Sequence, residues 1–372
     1  MDKKILICTG IFPPQIGGPA TYVLKMAEKI SKNSIANAII TYSDQKDNEK
    51  YGLDVYRVDW TFFILTYLKY FFKVLAIGKK FDIIFLQGSF LEGIPTIFAN
   101  FFLKKKVIIR IGGIYSWEAS FNRKWTTDFA DDFLKNKQKF LPEMFKRIDR
   151  FVISKCNKII ANSHYIKKLL ILNKVDPMKI EVVYNPVDSP HFEKISKNEY
   201  KEKLGISDKK VLLYVGRFVP WKNLARLIGF FQELSSEYAL VFAGDGPEKE
   251  KLMKLAEKNL KQKIIFLGKL EKSELNKAYQ IADIFVLISS FEGLSHVLIE
   301  AMKFNLPIIS SNIEPNTEAL EDYGNCRIID INKAEFLSAV NFLKTTDLKS
   351  SKQMDKFEFE NIYKKTMEIL CE

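Results

Sequence analysis

The stretch Ile284–Met302, IFVLISSFEGLSHVLIEAM, decides how this chain is read. An apolar run ends at Ser289–Ser290, a turn containing glycine follows, and a helix is expected from near Ser295. Strand, glycine turn and helix, in that order, build a parallel sheet with helices on its faces. Glu292 falls in the turn, and Glu300 falls more than one turn inside the helix. The amides of Gly293, Leu294 and Ser295 point out of the helix start, where the backbone dipole favours an anion. One carboxylate beside those donors and a second deeper suit a ligand with hydroxyls at both ends and phosphates between. Two glutamates at this spacing also describe an exposed helix start, so the surrounding sequence must decide.

The same grammar recurs on both sides. VLLYVGR, ALVFAGDG, KIIFLGKL and LPIISSN read as further strands of the second half, with helices such as EKEKLMKLAEKNL and SELNKAYQIA between them. In the first half, KILICTGIF, DIIFLQG, KVIIRIGG, KCNKIIANS and EVVYNPV are short apolar runs, and ATYVLKMAEKISKN has helical spacing. The fold class is therefore α/β, with two doubly wound Rossmann-like domains whose strand ends are expected to face each other across a cleft. A boundary is expected near Tyr184–Glu193, giving domains 1–184 and 185–350. The end of the chain, 351–372, reads as a helix that can pack back on the first domain.

Size and composition agree. At 372 residues and 47% hydrophobic content, two cores are the default. A net charge of +12 implies an anionic partner: nucleic acid, a phosphorylated ligand or an acidic membrane surface. Zinc spacing, an RNA-binding aromatic signature and a compact basic stripe are all missing from the sequence, so nucleic acid is not expected. Cys8, Cys156, Cys326 and Cys371 have no metal or redox spacing, which points to a reducing cytoplasm. The start, MDKKILICTGIF, runs straight into Pro13–Pro14 and Gly17–Gly18, so it reads as a first buried strand and not as a signal peptide. No apolar run reaches transmembrane length. The segment 60–80, WTFFILTYLKYFFKVLAIGKK, has Lys69, Lys73, Lys79 and Lys80 among its aromatics. Such a segment can lie on an anionic membrane, or be a core helix whose lysines face water.

Three features sit where strands become loops. In VGRFVPWKN, Arg217 and Lys222 can converge on a diphosphate from one loop, or can be two surface cations. Gly17–Gly18 can let backbone approach a phosphate, or can form an ordinary turn. Gly244 and Gly246 in AGDGPEKEKL read as structural. No Asp-x-Asp triplet suggests a divalent ion, so no metal and no cofactor are expected. Fixed cations and helix-start amides would then stabilise charge developing on a leaving phosphate.

In this order, FPPQIGGPATY near the start, YNPVD at 184–188, VGRFVPWKNLARLI at 215–228, AGDGPEKEKL at 243–252 and EGLSHVLIEAM at 292–302 resemble the retaining glycosyltransferases of family 4, with the GT-B fold. The resemblance spans nearly the whole chain. It implies transfer of a hexose-type sugar from a nucleotide-sugar donor to a glycan acceptor, often lipid-linked, in surface polysaccharide biosynthesis at the cytoplasmic, inner face of a membrane. By the same resemblance Arg217 and Lys222 neutralise the donor diphosphate, Glu300 holds ribose hydroxyls and Glu292 holds hydroxyls of the transferred sugar. Gly293, Leu294 and Ser295 supply amides, Gly17 and Gly18 close over the phosphates, and Lys269 lies near the base.

One departure stands out. The segment 110–128, RIGGIYSWEASFNRKWTTD, resembles a branch reading G-D-x-x-W-E, but Ile114 takes the Asp position. His164, His191 and His296 all lie outside it. A front-face retaining route needs no protein base, because the donor phosphate takes the acceptor's proton. Otherwise the acceptor side differs, with Trp117 and Glu118, or Asp128, nearby. A catalytically weakened nucleotide- or membrane-binding relative is the alternative.

Overall fold

A computed structural model describes residues 3–15, 17–44, 51–187, 195–258, 262–345 and 354–372. The chain forms two compact units: Met1–Pro186 with Glu360–Glu372, and Val187–Phe359. The first division thus falls at 186/187, where a change after 184 was expected. The expected change at 350/351, like most of 184–193, lies outside the described residues.

Unit 1 runs β1 (Ile5–Cys8), α1 (Gly18–Lys32), β2 (Asn37–Tyr42), β3 (Val55–Val58), α2 (Phe63–Gly78), β4 (Ile83–Leu86), α3 (Gly93–Leu103) and β5 (Lys106–Ile111). It continues with α4 (Tyr115–Asn122), α5 (Ala130–Lys135), α6 (Phe140–Ser154), β6 (Lys158–Ala161), α7 (His164–Leu172) and β7 (Ile180–Val182). Its seven strands lie in the order β3-β2-β1-β4-β5-β6-β7, all parallel. β1 and β4 are wholly buried, as Ile/Leu-rich strands covered on both faces must be.

Unit 2 runs α8 (Lys197–Lys203), β8 (Lys210–Val215), α9 (Leu224–Phe231), β9 (Tyr238–Ala243), α10 (Lys249–Glu257), β10 (Lys263–Gly268), α11 (Lys272–Ile281) and β11 (Ile284–Leu287). Then come α12 (His296–Lys303), β12 (Ile308–Ser311), α13 (Glu314–Leu320), β13 (Cys326–Ile329) and α14 (Lys333–Thr345). Its sheet is also parallel, in the order β10-β9-β8-β11-β12-β13. α9 shows why the helices cover it: Leu224, Leu227, Ile228 and Phe231 recur at helical spacing and are buried.

The last helix, α15 (Phe359–Cys371), belongs mostly to unit 1. Tyr363 accepts a 2.8 Å hydrogen bond from Asn33, and Lys29 pairs with Glu360 at 2.8 Å.

The strand order reverses direction between β1 and β4 in unit 1 and between β8 and β11 in unit 2. The space beyond the carboxyl ends of such neighbours is the usual ligand position in a doubly wound sheet.

Candidate functional site

In unit 2 the loops that follow β8 and β11 are stapled together. The Ser290 amide donates to the Trp221 carbonyl at 2.7 Å. The side-chain amide of Asn223 donates to the Ile288 carbonyl at 2.9 Å and to the Ser290 hydroxyl at 2.7 Å. Asn223 can do this because its backbone is left-handed, at φ 56°, where it ends the short turn Pro220–Lys222 and opens α9; Asn tolerates that conformation better than most residues.

The staple brings together the two charges read from the sequence. The Lys222 ammonium forms a direct ion pair with the Glu292 carboxylate, and both side chains are largely buried. Arg217, on the same loop as Lys222, is exposed. Among the described residues its guanidinium pairs with no carboxylate, while its carbonyl accepts from the Tyr214 hydroxyl at 3.2 Å. Tyr214 is fully enclosed, and burial first, then the Glu292 charge, push its phenol well above the ordinary value.

Ser295 precedes α12 in an extended conformation without a side-chain cap, and the expected helix starts at His296. Leu294 and Ser295 are buried and Gly293 is half-buried. Glu300, the fifth residue of α12, is half-buried. Burial raises its carboxyl, and the Tyr279 hydroxyl, donating to it at 2.8 Å, together with the Lys272 and Lys303 charges, pulls the other way. Tyr279 is itself fixed by stacking on Phe304, ring centres 4.9 Å apart.

Lys269 does not join this group. It is exposed after β10, two strands from β8, a displacement of about 10 Å at ordinary strand spacing. Its charge, after the hydrogen bonds from Lys249 and the Gly246 amide and the Lys249 charge, helps hold Asp245 below the usual carboxylate range. Gly244 and Gly246 have positive φ, and a Cβ on either would run into the backbone of Gly216 or Phe218. The two glycines let the β8 and β9 loops lie against each other.

Unit 1 holds the remaining candidates. Gly17 precedes α1 with an extended backbone any residue adopts, and Gly18 is the first residue of that helix. Trp117, placed on the acceptor side from the sequence, is a core residue. It is fully enclosed, and its indole N–H donates to the Asp128 carbonyl at 2.9 Å. An enclosed ring cannot touch a glycan, so that expectation is corrected. Ile114 opens α4 from within the core. Glu118 is half-buried against Gly113, where a Cβ would overlap its carboxylate, and burial followed by the Asp149 charge pushes it up to about 7. The Asp128 carboxylate accepts from Gln138 at 3.0 Å. His164 is the first residue of α7, beneath the Ser163 cap. His296 is the first residue of α12, and His191 lies outside the described residues.

One group the sequence reading passed over is Glu92. It is buried, and its carboxylate fills the space where Gly10 and Gly88 would carry a Cβ, just beyond β1 and β4. Burial pushes it up to about 7, with the Glu92 and Gly10 amides opposing. Its only sequence signal was a lone acid interrupting an apolar run.

Two family models match the chain in succession. Residues 16–189 match Glycosyltransferase Family 4, and residues 196–358 match Glycosyl transferases group 1. The chain belongs to glycosyltransferase family 4. The alpha-monoglucosyldiacylglycerol synthase of Streptococcus pneumoniae is 27% identical over 82% of this glycosyltransferase and 70% of that protein. The UDP-Gal:alpha-D-GlcNAc-diphosphoundecaprenol alpha-1,3-galactosyltransferase of Escherichia coli is 30% identical over 60% of each chain. In structure, the glycosyltransferase resembles Anabaena HepE in complex with UDP and glucose, with a TM-score of 0.79 over 99% of both chains at 17% identity. That likeness establishes the GT-B fold.

Proposed function

We propose that this glycosyltransferase moves a hexose-type sugar, with retention of configuration, from a nucleoside-diphosphate donor to a lipid-linked glycan in surface polysaccharide or glycolipid assembly. The observation that carries the donor half is the Lys222–Glu292 pair beside exposed Arg217, at the ends of β8 and β11. Donor entry exchanges that pair for two others: Lys222 with the diphosphate and Glu292 with hydroxyls of the transferred sugar. Glu300, oriented by Tyr279, takes the ribose hydroxyls.

In the reaction the bond from the anomeric carbon to the phosphate oxygen breaks, and its electron pair stays on the diphosphate. Arg217, Lys222 and the amides at the start of α12 stabilise that charge. The acceptor hydroxyl oxygen bonds to the same carbon from the face being vacated, and its proton passes to the departing phosphate. This route asks for no protein base, which is compatible with an apolar Ile114. It also asks for no metal.

The lipid-linked acceptor is favoured by the names of the two relatives, a monoglucosyldiacylglycerol synthase and a galactosyltransferase named for GlcNAc-diphosphoundecaprenol. With such an acceptor, the proposed site of action is the cytoplasmic face of a membrane. No helix among the described residues is long and apolar enough to cross one.

A thermal-shift panel of nucleotide sugars tests the reading, since a ligand of the native state raises the melting temperature. Stabilisation by one donor class, followed by nucleoside diphosphate release on adding lipid-linked acceptor, is expected. Stabilisation without release would favour the alternative, a catalytically weakened nucleotide-binding relative.

A further inference from the structure

Unit 1 carries an apolar face that its own fold leaves uncovered. Phe62 and Phe72 beside and on α2 are 72% and 61% exposed, Phe102 on α3 is 72% exposed and Phe140 on α6 is 80% exposed. Monomeric soluble proteins seldom leave contiguous aromatic surface of this kind in water. The rings are continuous from helix to helix: Phe71 of α2 meets Phe102 of α3 at 6.2 Å, and Phe98 of α3 meets Phe151 of α6 at 6.2 Å.

Two grooves run through this face. The one between α2 and α3 has a volume of about 540 Å³ and no charged residue in its walls, which include Ile64, Leu68, Phe71, Ile94, Phe98 and Phe102. The one between α3 and α6 has a volume of about 630 Å³ and shares Ile94 and Phe98 with the first. Cations mark the edges: Lys79 and Lys105 beside Phe102 at one end, Lys137 and Arg147 beside Phe140 at the other. No Asp or Glu occurs in residues 60–81 or 93–110. The acid lining the second groove, Glu143, is already held by Lys146 at 3.0 Å and Arg147 at 3.4 Å.

We propose that the face formed by α2, α3 and α6 docks on an anionic phospholipid bilayer, with its aromatics among the acyl chains and its lysines and arginine at the headgroups. This names the membrane partner of the lipid-acceptor reading above and rests on it for its biological sense, though not for its physical argument. An aromatic centre with a basic edge is the composition that lies in a membrane interface. The same composition argues against a second copy of this chain as the cover, because two such faces would oppose cation to cation. The helices lie on the bilayer and do not span it: α2, at 16 residues, is about 24 Å long against a hydrocarbon core of about 30 Å.

The test is co-sedimentation of the full chain with phosphatidylcholine vesicles, with and without phosphatidylglycerol. The protein is expected to bind the anionic vesicles, to bind neutral ones at least tenfold more weakly, and to lose affinity as salt rises. Lys79→Glu with Lys105→Glu should weaken anionic binding by a factor of about twenty-five or more, at roughly fivefold for each lysine removed. Phe72→Ser with Phe102→Ser should weaken it comparably while leaving the melting temperature near that of the wild type, since both rings are exposed. Equal binding to both vesicle types, unchanged binding by both double variants, or a dimer abolished by the Phe substitutions with no vesicle binding would each overturn the inference. Nucleotide affinity, measured by calorimetry on the same variants, keeps the two readings apart. If the vesicles bind as expected and no nucleotide does, the donor reading falls and the docking face stands.

Discussion

Lys222 and Glu292 come from loops seventy residues apart and meet as an ion pair in a largely buried setting. Each was legible as a charge just past an apolar run. Their meeting was not legible, because it depends on Asn223 and Ser290, whose hydrogen bonds cross between the loops and leave no local pattern. Glu300 is a simpler case: a helix places it, and Tyr279 orients it at 2.8 Å. Glu300→Ala should weaken binding of the free nucleotide by roughly tenfold or more, the loss of at least one hydrogen bond to a charged group, and calorimetry reads this directly. Trp117 misled because an aromatic beside an acid looks the same in sequence whether it lines a surface or fills a core. Glu92 carries a prediction of its own. A carboxyl whose folded value lies above the ordinary 4.5 stabilises the fold only while protonated. Its contribution is complete below that value and lost as pH rises through about 7. Glu92→Gln should therefore stabilise the fold relative to wild type at pH 8 by on the order of 3 kcal/mol, read as a higher melting temperature, and the gain should shrink towards pH 5. An equal difference at both pH values would contradict the assignment.

Strands and helices were readable wherever burial on both faces forced a continuous apolar run, as in β1, β4, β8 and β11. β2, β3 and β13 were passed over. β3 and β13 are sheet edges, half-exposed along much of their length and carrying Arg57 and Arg327, so their apolar signal is diluted. β2 is well buried but mixes Asn37, Thr41 and Tyr42 with its aliphatics. The loops were readable through glycine. Gly244 sits at φ 148°, with the Gly216 carbonyl occupying the space a Cβ would need. Gly244→Ala should cost about 2–4 kcal/mol from strain and overlap together, read as a lower denaturant midpoint. It should also loosen the loop that carries Arg217, which is anchored through Gly216 to Ala243 at 3.0 Å. A midpoint within experimental error of wild type would show that the two loops can part without loss.

At the scale of the whole molecule, the chain folds as two doubly wound units, and its last helix, α15, packs mostly with the first. Hydrophobic rhythm and length were enough to foresee two such units. The exposed aromatic face proposed for docking was only half legible, because α2 shows its basic, aromatic character alone, whereas α3 and α6 join it only through packing. In the function and docking proposed above, the two halves of the work fall to different units: donor charge to fixed groups of unit 2, and the membrane to helices of unit 1. The central claim concerns the first half. The most direct test is the rate of nucleoside diphosphate release by the wild type, Arg217→Ala and Lys222→Ala, each with excess chelator and saturating donor and acceptor. The account predicts a wild-type rate unchanged by chelator and a fall of roughly ten- to a hundredfold in each variant, since one charge-assisted contact contributes about 1.5–3 kcal/mol. Near wild-type release by both folded variants, or a wild-type rate abolished by chelator, would contradict it.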